Sequence, residues 1–105
     1  WNDMTGLPFV FSICAGNELI LNNRDVQIMQ LSYKLGAENM DEISFAFSQN
    51  QTYSKEFYSD FLKNNICYSF AEEEKQGLSE FFRYAFYFGL IEHIPDLHFY
   101  GEHSL

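Results

Sequence analysis

Apolar positions recur every third or fourth residue over most of this chain, and in one place they run together. Ile28, Leu31 and Leu35 fall on one stripe, with Val26, Met29 and Tyr33 beside it, and this spacing predicts an amphipathic helix from Arg24 to Leu35. Asn22 or Asn23 caps its start, Asp25 suits the dipole of its first turn, and Gly36 closes it as the left-handed C′ residue. Met40, Ile43 and Phe47 predict a shorter second helix that opens on Asn39 and Glu42 as a capping box and stops near Gln49. Ser54 caps a third, in which Phe57 and Phe61, with Tyr58 and Leu62, share a face as far as Asn64 and Asn65. The fourth runs from about Ala71 to Phe88 and presents Leu78, Phe81, Phe82, Ala85 and Phe86 as a wide apolar face. Ser69 and Glu72 form its capping box, and Glu72, Glu73 and Glu74 place negative charge in its first turn. Gly89 ends it, and Pro95 prevents its resumption.

The exception to this period is the run from Thr5 to Cys14, an apolar stretch rich in β-branched and aromatic residues that enters through Gly6 and Pro8. Pro8 has no N–H to give a ladder, so the pairing part begins at about Phe9. From Phe9 to Cys14 both faces are apolar, which suits a strand covered from both sides. Such a strand needs neighbours to satisfy its N–H and C=O groups, and the chain offers one further extended candidate, Ile66 to Phe70. Leu19, Ile20 and Leu21, bracketed by Asn17 and Asn22, read as a loop or a helix start.

One hundred and five residues amount to one domain or less. Nineteen per cent of them are aromatic, twelve being Phe, so part of this surface is expected to be exposed or to await a partner surface. The net charge of −9 disfavours nucleic acid and anionic membrane as partners, because both are bound through clustered Lys and Arg. No apolar run reaches the roughly 18 residues of a membrane span. Cys14 and Cys67 sit in apolar surroundings and read as reduced, structural thiols, so a cytoplasmic location is expected. The start at Trp1, with no signal peptide before it, reads as that of a fragment.

His93, His98 and His103, with Asp96 and Glu102, invite a metal reading, but their spacing of five and the intervening Pro95 do not suit helical ligand pairs, and no metal is expected. Neither cysteine has a basic neighbour to stabilise a thiolate, and no serine lies in a nucleophile elbow. A phosphate-cradling glycine loop is also lacking.

The segment WNDMTGLPFVFSIC resembles the W-x-x-x-T-G-L-P-F-V-F-A-x-W segment of the menaquinone biosynthesis family that contains chorismate dehydratase. Downstream, Leu62 to Phe70, then Glu72, Glu73, Glu74, Gly77 and Leu78, resembles that family's Y-L-x-x-N-I-x-Y-x-L-G-x-x-E-x-x-G-L region. Ser12 and Cys14 depart from the usual Ala and Trp, and Phe70-Ala71 from Leu-Gly. The resemblance covers only the C-terminal part of the family's two-lobed enzymes.

That resemblance implies an α/β, type II periplasmic-binding-protein-like fold, of which this piece is the mainly helical part, with about four helices and one or two strands. Residues 1–14 would be a returning strand, 15–92 a helical layer and 93–105 a tail, all within a single C-terminal portion. The implied reaction is loss of water from chorismate to give 3-[(1-carboxyvinyl)oxy]benzoate on the futalosine route, without cofactor; a sister enzyme forms dihydroxynaphthoate later in that route. Thr5, Gly6, Leu7, Pro8 and Phe9 would border the substrate cleft, and no residue here is assigned to catalysis. The implied partner is the N-terminal part of the same enzyme. Other readings are part of a non-catalytic periplasmic-type solute-binding protein and a self-associating helical module. Thr5 to Phe9 has an equally plain structural reading, as a turn needed for geometry alone.

Overall fold

The computed structural model describes residues 1–100, which divide into two compact units, residues 1–16 with 69–100, and residues 17–68. In the first unit, a single helical turn, α1 (Asn2–Thr5), is closed by Gly6 in the left-handed conformation at φ 70°, a region open to Gly at no steric cost. The chain then runs extended to Gly16. The unit's principal helix, α5 (Glu72–Tyr87), buries Gly77 and, of the predicted face, Leu78 and Ala85, while Phe81 and Phe86 of that face stay exposed; it ends on Phe88, with Gly89 left-handed at φ 74°.

The second unit begins with a turn in which Ile20 and Leu21 donate to the Asn17 carbonyl. Helix α2 (Asn23–Glu38) follows, capped by Asn22, whose Oδ1 accepts from the N–H groups of Arg24 and Asp25 while Asp25 accepts from the Asn22 N–H. Next come α3 (Met40–Ser48) and α4 (Lys55–Asp60), which the chain extends through a π turn over Phe61–Asn65. Ser54 caps α4 by accepting from the Phe57 N–H. Helices α3 and α4 pack together, and the residues they hide are Ser44, fully buried, and Ser59. Ser44 donates to the Met40 carbonyl and Ser59 to Asp41, so neither hydroxyl is left without a partner.

Among the described residues only Leu78 and Ala85 are buried apolar side chains. No residue of α2 is buried, and Ile28, Leu31 and Leu35, spaced to share one face, are each left more than half exposed. The chain exposes 8852 Å², whereas two compact units of half its 12.4 kDa mass would expose roughly 7400 Å² between them. The aromatic surplus is indeed exposed: Phe11, Phe45, Phe47, Tyr53 and Tyr87 all face solvent.

Several expectations are corrected. The side chains from Phe9 to Cys14 are not buried as expected, and Phe11 is 91% exposed; neither this extended segment nor Ile66 to Phe70 meets a neighbouring strand among the described residues. The physical reason is that an apolar run specifies what a strand would bury and cannot supply its neighbour. For the same reason Cys14 and Cys67 are exposed rather than buried. Gly36 does not end α2, which continues through Ala37 and Glu38 and terminates on Asn39. Asn39 then donates its side-chain amide back to the Leu35 carbonyl and does not cap α3. The box at the start of α5 is displaced by two residues, with the Ala71 N–H donating to Glu74. The described part of the tail is anchored: Phe99 packs on Phe70 at 5.6 Å and lies under the Lys75 ammonium at 4.8 Å.

Candidate functional site

Thr5 to Phe9 forms a closed joint against α5. The Thr5 hydroxyl donates to the Trp1 carbonyl and accepts from the Leu7 N–H, at 2.9 and 3.1 Å. Gly6 donates to the Asn2 carbonyl, the Asn2 amide donates to the Leu7 carbonyl, and the Trp1 indole N–H donates to the Pro8 carbonyl at 3.2 Å. With Pro8 lacking an N–H, every backbone donor from Thr5 through Pro8 is engaged inside the joint. The N–H groups of Asn2 and Asp3 at its start and of Phe9 at its end have no partner among the described residues. Any ligand held here by backbone N–H groups therefore meets them at these two ends.

The joint rests on α5 at Gly77. A Cβ on Gly77 would run into the Pro8 carbonyl oxygen, so only glycine allows this approach. Around it stands an aromatic wall: Trp1 meets Phe9, Phe81 and Tyr84 edge-on at ring-centroid distances of 5.6, 6.4 and 5.8 Å, and Phe9 meets Phe81 at 5.6 Å. No acidic or basic side chain occurs between Met4 and Asn17. The five candidates Thr5, Gly6, Leu7, Pro8 and Phe9 are thus held together on one apolar, uncharged surface, with Leu7 and Pro8 half-buried and Phe9 at the edge.

The second unit carries the chain's charged constellation, which sequence reasoning missed. Asp41 Oδ1 accepts from the Ser59 hydroxyl at 2.6 Å and from the Lys63 ammonium at 2.9 Å. The Ser59 hydrogen bond, then the bond and charge of Lys63, hold the Asp41 carboxyl below the usual carboxylate range. The available signal was that Ser59 and Lys63, four residues apart, share a helical face. An acid so stabilised is a poor base, and Ser59 has committed its proton to it, so the trio ties α3 to the π turn and does not arm a nucleophile. It borders an open depression of about 320 Å³ lined also by Lys55, Glu56 and Asp60. No metal-ligating cluster occurs among the described residues; His103 and Glu102 lie outside them. Gly77 was also missed, and its signal was a glycine inside a helical pattern, which usually has a packing reason.

No curated protein and no solved structure gives a significant match to this sequence. The sequence model described as menaquinone biosynthesis matches residues 1–87. That span contains the joint, the unpaired extended segment and every helix, α1 to α5. With its joint, its aromatic wall and its matched sequence all in that one span, the chain belongs to the menaquinone biosynthesis family.

Proposed function

We propose that this chain is the C-terminal portion of a chorismate dehydratase-like lyase and completes its substrate cleft through the joint at Thr5 to Phe9. The observation that supports the reading is the segment Thr5 to Phe11, which resembles the dehydratase more than its sister enzyme, within a chain of the menaquinone biosynthesis family. In the reaction the ring hydroxyl of chorismate and a ring proton leave together as water, and the ring becomes aromatic. A site for it must hold two carboxylates and a leaving hydroxyl away from solvent. The joint offers an apolar wall and, from Phe9, unengaged N–H groups, but no cation. The carboxylate-binding charges therefore come from the N-terminal part of the enzyme, and the chain alone is inactive. On this reading the helices pack on a parallel sheet of the type II periplasmic-binding-protein-like kind, Phe9 to Cys14 is one of its strands, and the bare apolar face of α2 is covered.

The test is incubation of chorismate with the chain alone and with the chain plus a separately produced N-terminal lobe of a family dehydratase, with product followed by mass spectrometry. Enol-ether benzoate should form only in the mixture. Turnover by the chain alone, or none in a mixture shown to associate, would overturn the reading.

A further inference from the structure

We propose that, in the isolated chain, Phe9 to Cys14 pairs as a strand with the same segment of a second copy. The inference rests on the backbone of this segment and is independent of the chorismate reading. Consecutive N–H and C=O groups from Phe9 to Cys14 have no partner among the described residues, and a row of such groups is a template for another extended chain. The missing partner is thereby defined chemically as an extended backbone with apolar side chains and no charge.

A second copy of the segment meets that description. The run from Met4 to Asn17 is the longest in the sequence without an acidic or basic side chain, in a chain whose net charge is −9. Two copies repel as whole molecules, and this stretch lets them close without bringing like charges into contact. Antiparallel pairing also sets Phe11, 91% exposed, and the exposed Ile13 against apolar side chains of the opposite strand. Pro8 limits the pairing at one end because it has no N–H, and the ladder begins beyond it. The bare face of α2 offers no such definition, since nothing about an apolar helix face specifies what covers it.

Sedimentation of the reduced chain from micromolar to millimolar concentration, with amide exchange on the same samples, tests the proposal. Association should rise with concentration, and the amides of Phe9 to Cys14 should gain protection in step with it. Adjacent residues direct their N–H groups to opposite strand edges, so one of Phe11→Pro and Ser12→Pro must remove a donor that faces the partner. That variant should raise the dissociation constant roughly tenfold or more, while both keep the helical circular dichroism of the parent. A monomer at every concentration would overturn the proposal. So would association in which these amides stay unprotected, or in which neither proline weakens the complex.

Discussion

Replacing Gly77 by Ala should destabilise the first unit, although helix propensity alone says the opposite. Inside an exposed helix Ala is better than Gly by about 0.8–1 kcal/mol. At Gly77, however, the new methyl would meet the Pro8 carbonyl oxygen, with the Pro8 carbonyl carbon at 3.4 Å and Leu7 Cβ at 3.8 Å. That carbonyl is held in place by the Trp1 indole N–H, from which it accepts a hydrogen bond. The joint must lift from α5 instead. Lifting it forfeits the edge contacts of Trp1 with Phe81 and Tyr84 and of Phe9 with Phe81, about 1 kcal/mol each. Against the propensity gain, the net loss is about 2 kcal/mol. Trp1 is the sole tryptophan and sits at the joint, so its emission reports the event directly. Gly77→Ala should shift that emission to the red and lower the urea midpoint read through it. Gly36→Ala, where a Cβ meets nothing within 4 Å, is the control: it should strengthen α2 by up to about 1 kcal/mol and leave the emission unchanged. A Gly77→Ala chain with parental emission and equal or greater stability would refute the argument.

Asn22→Ala removes the acceptor for two N–H groups of α2 and should cost that helix about 1 kcal/mol, read as a loss of far-ultraviolet helical signal. Leu78→Ala empties part of the small apolar core and should cost about 3 kcal/mol, measured as a fall in the urea midpoint followed by Trp1 emission. The Asp41 carboxyl is held below its usual range by Ser59 and Lys63, so its tie is fully formed above the unfolded value near 3.9 and is lost as pH falls through the lower folded value. Urea midpoints taken from pH 6 to pH 2 should therefore drop more steeply below about pH 4 for the parent than for Asp41→Asn; parallel curves would contradict the assignment.

The helices were legible because their signals are local. Asn22, Ser54 and Gly89 act on backbone groups within four residues, and the stripe from Leu78 to Ala85 needs only its own periodicity to be read. Gly36 misled because a glycine near the end of a stripe can stop a helix or be passed over. Ala37 and Glu38 continue α2 until Asn39 leaves the helical region at φ −122° and ψ 26°. The burial expected of Phe9 to Cys14 was misread for a different reason: burial is a property of what surrounds a segment, and no periodicity within the segment encodes it. Cys14, Cys67 and the stripe of α2 share that cause. Of the candidate site, the residue set Thr5 to Phe9 was legible from its Gly, its Pro and its wording. The seat on Gly77 was not, because it depends on a helix some seventy positions downstream, and the inward use of the Thr5 hydroxyl, though local, follows from the helical turn at Asn2–Thr5 that no apolar period announces.

Under the proposed function, Phe9 to Cys14 is a strand that finds its sheet in the N-terminal part of a dehydratase-like enzyme. Amide exchange of these six residues, measured on the chain below its own association range before and after addition of a family dehydratase's N-terminal lobe, addresses that directly. The amides should exchange freely in the chain alone and slow at least a hundredfold in the complex, the mark of ladder hydrogen bonds inside a covered sheet. A complex that forms while these amides continue to exchange as in the free chain would contradict it.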